Sequence, residues 1–301
     1  MSFTAQRLTL GLLVLAIAGC GSSKTSSTSS TAASTTTSSA PAKDAKVAAL
    51  VPSAIKSSGT LSVAADASYA PNEFVGSNGK TVEGMDADLA KALASVMGLK
   101  AAVQNQTFDS IIPGLAAKKY DLGMSSFTDT KARQKVVDFV TYFSAGTSFY
   151  TKAQGGPTVN GLADLCGLKV AVEKGTTQQA DATAQSKKCT AAGKKPVTVS
   201  VFPDQNGANL ALSSGRAQVG MADSPVADYQ VKQSNGQFKL TGTPYGTAPY
   251  GIAMNKQSGL DRAVLAGIKT LMSDGDYKSI LNHWGIESGA ISNPVINGAT
   301  S

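Results

Sequence analysis

From residue 61 onward, the sequence alternates short apolar segments with longer amphipathic ones. The short segments have the length and composition of buried strands, and the longer segments place apolar residues on one side of a helix. This alternation runs from 61 to 124 and resumes from 168 to 232. Strands that alternate with helices are typical of open α/β sheets with helices on both faces. The sequence therefore predicts an α/β protein with two doubly wound sheets.

Two segments are predicted to connect these sheets. "YFSAGTSFYTK" (142–152) lies between them, and "GTAPYGIAM" (246–254) is predicted to return as a strand. Two lobes that are joined by two crossing strands leave a cleft between them. The predicted lobes comprise residues 53–145 and 251–301 for lobe 1, and residues 146–250 for lobe 2.

Residues 1–20 are predicted to be a signal peptide. Arg7 precedes the apolar run "LTLGLLVLAIA" (8–18), which is too short to span a bilayer as a helix. The run leads into "IAGC" (17–20), which resembles a lipoprotein lipobox and implies cleavage before Cys20 and a lipid on that cysteine. The alternative is an ordinary signal peptide with an incidental cysteine.

A low-complexity segment follows the predicted signal peptide. Residues 21–46 consist almost entirely of Ser, Thr and Ala. Such a composition cannot bury enough apolar surface to offset the entropy lost on ordering. We therefore expect a flexible tether over residues 21–52, which holds a folded body just outside the membrane.

Charge and residue counts exclude several classes of function. The 27 Lys and Arg residues outnumber the 20 Asp and Glu residues, for a net charge of +7, and they are scattered along the chain with no basic run that contains interleaved aromatic residues. A nucleic-acid partner is therefore not expected. The only histidine is His283 and there is no CxxC motif, so neither a metal site nor a cofactor is predicted.

Two further cysteines, Cys166 and Cys189, flank a predicted strand (168–173) and a predicted helix (177–189). Six strand residues and thirteen helix residues each cover about 20 Å, so the end of the helix returns to the start of the strand. This arrangement makes a disulfide reasonable outside the cell. Two free thiols are the alternative.

The stretch "SSFTDTKARQKVVDF" (125–139) follows a predicted strand. In open α/β sheets, ligands bind beyond the carboxyl ends of the strands, where loop amides and helix N-termini point. Arg133 offers a planar guanidinium that suits a carboxylate, and Ser126 and Thr128 can donate to the same oxygens. The stretch therefore indicates a site for a ligand carboxylate.

Arg133 is predicted in the first turn of a helix for which Thr130 is a plausible N-cap. Taken alone, the stretch leaves a second interpretation open. In that interpretation Arg133 lies on the surface and pairs with Asp129 or Asp138.

Seven segments together resemble one family. They look like the amino-acid-binding branch of the family 3 extracellular solute-binding proteins, the receptors of ABC importers. The resemblance covers residues 59 to 287 and implies a two-lobed periplasmic-binding-protein fold of type II. The segments, in family order, are "SVAADASYAP" (62–71), "TVEGMDADLAKAL" (81–93), "FDSIIPGL" (108–115), "SSFTDTKARQKVVDF" (125–139), "VAVEKGTT" (170–177), "VGMADSP" (219–225) and "YGIAM" (250–254).

The resemblance implies roles for individual residues. Asp223 matches the aspartate that accepts the ligand α-ammonium from the opposite lobe, although on its own it could cap the next helix. Tyr69 and Phe108 match the aromatic walls around the ligand side chain, and on their own they could be core residues. The residues that match the site of the α-carboxylate are Arg133, Ser126, Thr128, and Thr176 or Thr177, and Ser125 is a further predicted ligand-binding residue.

A clamp divided between two lobes implies closure around the ligand. Arg133 belongs to lobe 1 and Asp223 to lobe 2, so one amino acid bridges both only in a closed form. We expect hinge motion near residues 144–148 and 247–251.

Asp66 and Glu173 directly follow predicted strands, at positions that line the side-chain end of the cleft in the family. With Asp223 they place three acids against the single Arg133. This excess favours a basic ligand such as arginine, lysine or ornithine. Glutamine is the alternative, because Asp66 alone can accept its amide.

Glu173 has two other interpretations. It can pair with Lys174 or Lys152 and not contact the ligand. It can also act as the general acid of a secreted prephenate or cyclohexadienyl dehydratase, since that activity has arisen on the same fold. Asp223 favours a ligand ammonium and no nucleophile–base pair is evident, so the chain is predicted not to be an enzyme.

The expected partners follow from these predictions. They are a free amino acid, a membrane permease of an ABC transporter, and the membrane itself through the N-terminal lipid. A sensor protein in the membrane is the alternative to the permease. The protein is expected to be a monomer at the extracellular face of the cell membrane.

Overall fold

The structure, a computed structural model, describes residues 40–299. The predicted signal peptide, the lipidation site at Cys20 and the tether as far as residue 39 lie outside the described residues. Within the described part of the chain, no helix is both long enough and apolar enough to cross a membrane.

The described residues form one compact α/β unit. Its eleven strands are β1 (Thr60–Ala65), β2 (Ser68–Tyr69), β3 (Glu73–Val75), β4 (Val82–Glu83), β5 (Lys100–Asn105), β6 (Leu122–Gly123), β7 (Val137–Lys152), β8 (Lys169–Glu173), β9 (Thr198–Phe202), β10 (Val219–Asp223) and β11 (Phe238–Asn255). Its nine α-helices are α1 (Ala45–Leu50), α2 (Ser53–Ser58), α3 (Met85–Val96), α4 (Phe108–Ala116), α5 (Thr177–Ala191), α6 (Gln205–Ser213), α7 (Ser224–Gln233), α8 (Asp261–Ser273) and α9 (Asp276–Trp284).

Eight strands form one sheet with the order β5-β1-β6-β11-β7-β10-β8-β9. The parallel strands β5, β1 and β6 make up a first half-sheet, and β10, β8 and β9 make up a second. The long antiparallel strands β7 and β11 pair with each other and run through both halves. Hydrogen bonds therefore continue from one half-sheet to the other through the two crossing strands that the sequence predicts.

The pairing of β7 with β11 is irregular where the two half-sheets meet. Its register shifts between Thr241 and Tyr245, between Tyr245 and Ala248, and between Tyr250 and Gly251. Such irregularities interrupt the ladder and bend the strands locally.

Each half has its own apolar core. In the first half, Leu89 and Leu93 of α3 pack with Val264 and Ile268 of α8, at the spacing of one helix face. In the second half, alternate residues of β8 pack against α5 and the neighbouring strands. A disulfide joins Cys166 to Cys189 of α5 at the edge of this second core, with their Cα atoms 5.6 Å apart.

The beginning of the folded body differs from the prediction. The predicted tether extends to residue 52, but residues 45–50 form α1, and Val47 and Val51 are buried against the first core. The Asp44 side chain caps this helix by accepting from the N–H groups of Lys46 and Val47. Any flexible segment therefore ends before Asp44. The apolar residues of α1 are too few to predict a helix without the surface on which they pack.

The start of α3 also differs from the prediction. Asp86 is predicted as the N-cap, but α3 begins at Met85 with Gly84 in the cap position. The Asp86 side chain is buried, and it accepts from the Tyr142 hydroxyl at 2.6 Å and from the backbone N–H of Ser126 at 2.7 Å. Its carboxylate thus binds two partners in the core and leaves the helix terminus uncapped.

Candidate ligand-binding site

The carboxyl ends of strands from both half-sheets meet at one cavity. Asp66 directly follows β1, Glu173 ends β8 and Asp223 ends β10. All eleven residues predicted for the ligand site line this cavity, and Glu73 and Gln178, which were not predicted, also line it. The eleven are Asp66, Tyr69, Phe108, Ser125, Ser126, Thr128, Arg133, Glu173, Thr176, Thr177 and Asp223.

Arg133 reaches the cavity from a short 3₁₀ turn, Arg133–Lys135, rather than from the predicted α-helix. The hydroxyl of Thr130 accepts from its backbone N–H at 3.2 Å, as expected of a cap. The guanidinium donates to the carbonyl oxygens of Thr128 at 2.8 Å and Gly175 at 3.0 Å. The ring centroids of Phe108 and Phe127 lie 5.3 and 5.4 Å from its central carbon, a distance at which cation–π attraction operates.

The structure does not support the interpretation that Arg133 pairs with Asp129 or Asp138. Asp129 accepts from Gln134 at 2.7 Å, and Asp138 pairs with Lys256 at 3.0 Å. Among the described residues, Arg133 forms no ion pair. Desolvation lowers the pKa of the Arg133 guanidinium to about 10, which leaves it charged at neutral pH. The cavity therefore contains a partly shielded cation suited to an anionic group.

Asp223 lies on the opposite wall and is only 7% exposed. Its carboxylate accepts from Gln178 and from the Tyr250 hydroxyl, both at 2.7 Å, and its backbone N–H donates to the Tyr69 hydroxyl at 2.9 Å. Although Asp223 precedes α7, its side chain makes no capping hydrogen bond, so the capping interpretation is wrong. Burial raises the pKa of Asp223 to about 6, and the hydrogen bonds from Tyr250 and Gln178 oppose that rise.

Two further acids occupy another part of the cavity wall. Asp66 accepts from the backbone N–H groups of Phe108 at 2.9 Å and Ser68 at 3.1 Å. Glu173 lies within hydrogen-bonding reach of Asp66, and its Oε1 atom is buried without a partner among the described residues. Burial, followed by the negative charge of Asp66, raises the pKa of Glu173 well above its usual range.

Neither lysine proposed as a partner of Glu173 forms an ion pair with it. Lys174 pairs instead with Asp109, with Nζ 2.8 Å from Oδ2. Lys152 forms no ion pair within the described part of the chain. Glu173 is thus an acid without a cationic partner, facing a cavity that holds other acids.

The aromatic residues combine two roles that the sequence could not separate. Tyr69 and Phe108 line the cavity and also pack into apolar clusters. Phe108 stacks on Phe127 with 4.5 Å between ring centroids. This packing holds the rings in position as walls of the cavity.

Four of the hydroxyl groups that the sequence assigns to the site, those of Ser125, Ser126, Thr176 and Thr177, have hydrogen-bond partners. Ser125 and Ser126 each donate to a different carboxylate oxygen of Glu73 at 3.2 Å. The Thr176 hydroxyl caps α5 by accepting from Gln179 N–H at 3.1 Å, and that of Thr177 donates to Gln178 at 3.3 Å. Since Thr176, Thr177 and Gln178 line the cavity, the N-terminus of α5 lies at its wall, which is favourable for an anion.

The two residues that sequence reasoning missed are polar and buried. Glu73 lies in the three-residue strand β3, and Gln178 lies in the first turn of α5. Gln178 donates to both Asp223 and the Thr147 hydroxyl, so it orients the carboxylate on that wall. The one signal for Gln178 was its position beside Thr176 and Thr177, directly after a strand.

Comparison with known proteins agrees with this geometry. The model of the bacterial extracellular solute-binding proteins, family 3, matches residues 61–287. The arginine-binding protein ArgT of Corynebacterium glutamicum is 36% identical over 253 residues, which cover 84% of this chain and 83% of that protein.

Two solved structures of an ancestral arginine-binding protein share the fold. The form bound to arginine has a TM-score of 0.68 and 36% identity, and it covers 75% of this chain and 98% of its own. The form bound to glutamine has a TM-score of 0.68 and 37% identity, and the match covers 76% of this chain and 99% of the ancestral chain. These matches confirm the predicted α/β periplasmic-binding-protein fold.

The relatives named above are binding proteins, which confirms the prediction that the chain is not an enzyme. Its extracellular placement follows from the family. The chain belongs to the bacterial extracellular solute-binding proteins, family 3.

Proposed function

We propose that this protein captures a free basic amino acid, with arginine as its principal ligand, and delivers it to the permease of an ABC transporter. The observation that carries the proposal is the distribution of charge in one cavity. Arg133 is a cation without an ion-pair partner among the described residues, and it faces a wall that carries Asp223. A ligand that carries both a carboxylate and an ammonium group satisfies the two together.

The α-carboxylate is assigned to Arg133, helped by Thr128 and by the N-terminus of α5. The α-ammonium is assigned to Asp223, which Gln178 and Tyr250 hold in place. Such charge-assisted hydrogen bonds are stronger and more directional than neutral ones. In this proposal, one ligand bridges the two half-sheets and stabilises the closed arrangement.

The ligand side chain is assigned to the space between Tyr69 and Phe108, with its cationic end at Asp66 and Glu173. Glu173 supports this assignment because its Oε1 atom is buried without a hydrogen-bond donor in the described chain. A buried carboxylate is costly unless a cation or a hydrogen-bond donor accompanies it. A guanidinium supplies both, and arginine-binding relatives support this choice.

Glutamine is the second candidate ligand. The observation that favours it is the glutamine-bound form of the ancestral arginine-binding protein, which is 37% identical to this chain. A side-chain amide can donate to Asp66, but it leaves the acidic pair without a positive charge. We therefore expect weaker binding of glutamine than of arginine at neutral pH.

We further propose that a lipid on Cys20 anchors the protein at the outer face of the cell membrane. The supporting observation is the lipobox-like "IAGC" at 17–20, followed by a Ser/Thr-rich segment.

The lobes are assigned to 53–145 with 251–301 and to 146–250, with hinges near 144–148 and 247–251. The register shifts between β7 and β11 at residues 241–251 support that hinge position.

A thermal-shift screen tests the ligand assignment. The chain from residue 20 onward, with Cys20→Ser to prevent lipidation, is melted with each of the common amino acids, ornithine and citrulline. A ligand at a hundred times its Kd adds about 2.7 kcal/mol of stability. We expect the largest rise in Tm with arginine. A rise with glutamine alone contradicts the basic-ligand assignment, and no rise with any α-amino acid contradicts the proposal as a whole.

A further inference from the structure

Asp66 and Glu173 bring two carboxyl groups into contact from opposite half-sheets. Asp66 follows β1 and Glu173 ends β8, and their side chains are within hydrogen-bonding reach of each other. The residues are 4% and 3% exposed, respectively. Since a hydrogen bond between two carboxyl groups needs a proton on one of them, this contact is compatible with a half-protonated pair.

The groups that face the pair are acidic or neutral. Lys174, the next residue along the chain, turns away to pair with Asp109. Arg133 is held by the carbonyl oxygens of Thr128 and Gly175, and no Lys or Arg side chain of residues 40–299 forms an ion pair with either carboxyl. The titratable groups that act on the pair from the neighbouring elements are Asp204 before α6, Asp223 of β10, Tyr69 of β2 and Tyr150 of β7.

Two adjacent buried carboxylates cannot both be ionised at moderate cost when no cation accompanies them. Burial raises the pKa of Glu173 well above its usual range, and the charge of Asp66 raises it further. Burial also raises the pKa of Asp66, although hydrogen bonds from Ser68 and Phe108 oppose the rise. The pair therefore needs either a proton or an external positive charge.

We propose that Asp66 and Glu173 share one proton when the cleft closes on a neutral amino acid, and that they carry none when it closes on a cationic one. This inference rests on the proposed function, because it takes the pair as the side-chain end of the ligand site. The guanidinium or ammonium of the ligand replaces the proton, which is released to solvent. The complex with a neutral ligand thus holds one proton more than the complex with a cationic ligand.

The consequence is a selectivity that depends on pH. By linkage, the ratio of the Kd for a neutral ligand to the Kd for a cationic ligand rises about tenfold per pH unit while the pair titrates. Acidification therefore favours neutral ligands relative to basic ones. Asp223 also titrates, but it contacts the α-ammonium that both ligands carry, so its effect cancels in the ratio.

Arginine and citrulline provide a matched pair of ligands, because citrulline replaces the guanidinium with a neutral urea group of the same shape. Isothermal titration calorimetry with each ligand, from about pH 5 to about pH 8, gives the ratio of Kd values across the relevant range. Repeating each titration in buffers of different ionisation enthalpy counts the protons exchanged. We expect the citrulline complex to retain about one proton more than the arginine complex, with a ratio that rises with pH.

Glu173→Gln removes the titrating acid and keeps a neutral side chain of similar shape. In this variant, the difference in proton count is expected to fall to near zero and the ratio of Kd values to become independent of pH. Glu287→Gln, at an exposed position outside the cavity, is the control and should behave as the unmodified protein does.

The possible outcomes separate this inference from the proposed function. Arginine binding with equal proton counts for both ligands, and a ratio that stays constant with pH, overturns the shared proton while leaving the function intact. A pH-dependent ratio that persists in Glu173→Gln also overturns it. Absence of arginine binding at every pH contradicts the proposed function.

Discussion

Lys174 and Asp109 form an ion pair between the two halves of the molecule, with Lys174 Nζ 2.8 Å from Asp109 Oδ2. Asp109 lies in α4 beside the first half-sheet, and Lys174 directly follows β8 of the second. The backbones also approach closely here, since a Cβ atom at Gly175, where φ is +80°, would lie 3.0 Å from the Asp109 Cβ. A movement that opens the cleft at this point separates the pair.

Loss of this ion pair should weaken ligand binding modestly. Both side chains are partly exposed, and exposed pairs contribute about 0.2–1 kcal/mol. We therefore expect Lys174→Gln to raise the ligand Kd by about 1.4- to fivefold at low salt, mainly through faster dissociation. Stopped-flow measurements of ligand release test this expectation.

Salt and a second variant provide the controls for Lys174. The effect should disappear at high ionic strength, and Asp109→Asn should add nothing in the Lys174→Gln background. Lys188→Gln, at an exposed position of α5, should leave the Kd unchanged. An effect of Lys174→Gln that persists at high salt would show that the residue acts through something other than this pair.

Replacement of Arg133 should cause a much larger loss. Removing one partner of a desolvated charge pair costs about 3–5 kcal/mol, which corresponds to a factor of hundreds or more in affinity. We expect that loss for Arg133→Ala, and little recovery in Arg133→Lys, because an ammonium cannot bind a carboxylate through two parallel hydrogen bonds. Calorimetry measures both. A near-normal Kd for Arg133→Ala would contradict the assignment of the α-carboxylate.

Glu73 should make the stability of the protein depend on pH. Burial, followed by the charge of Asp86, raises the pKa of Glu73 well above its usual range. The folded state therefore holds a proton that the unfolded chain loses as pH rises past about 4.3, and the free energy of unfolding falls by about 1.4 kcal/mol per pH unit until Glu73 ionises in the folded state. In Glu73→Gln this contribution is absent, so the variant gains stability relative to the parent as pH rises.

Urea unfolding of the two proteins at several values of pH measures this difference directly. The buried acids Asp66, Glu173 and Asp223 are common to both proteins and largely cancel in the comparison, so the difference reports Glu73 together with its buried neighbour Asp86. Glu287→Gln removes an exposed carboxyl and should leave the pH dependence of the parent unchanged. Identical pH dependence in Glu73→Gln and the parent would mean that Glu73 is ionised in the folded protein.

The acids at the strand ends were predictable for a simple physical reason. Asp66, Glu173 and Asp223 each lie at the end of a run of apolar strand residues, and the carboxyl ends of parallel strands meet at one edge of a sheet. Strand positions place Asp66 at the edge of one half-sheet and Glu173 and Asp223 at the edge of the other, and the family resemblance supplies the two-lobed arrangement that brings these edges together. In the structure, these acids at the strand ends of both half-sheets line the cavity.

Other features depend on tertiary contacts that no local pattern reveals. Glu73 lies in a strand of only three residues, which has no measurable periodicity. In the sequence Gln178 resembles a helix surface residue, and only the packing of α5 beside Thr147 shows that it is buried. Helix α1 is stabilised by its contact with α8, and Asp86 fails to cap α3 because Tyr142 and Ser126 draw its side chain inward.

The pKa of Asp223 sets a lower pH limit for ligand binding. Burial raises that pKa to about 6, so below this pH the free protein carries a proton on the carboxyl proposed to receive the α-ammonium. The adjacent ammonium favours the ionised form in the complex, and binding must therefore expel the proton. The contribution of Asp223 to affinity should be flat above about pH 6 and fall up to tenfold per pH unit below it, equally for arginine and citrulline, so it leaves the ratio of their Kd values unchanged.

Tyr250→Phe tests the origin of this pH limit. The Tyr250 hydroxyl donates to Asp223 Oδ2 at 2.7 Å, and this hydrogen bond favours the ionised carboxylate. Without the hydroxyl, less opposes the effect of burial, and the pKa of Asp223 rises further. The midpoint of the affinity loss should therefore move to higher pH while the protein remains folded. Calorimetric titrations across this range measure the midpoint. A midpoint that stays in place, or moves to lower pH, would show that another group controls the loss of binding.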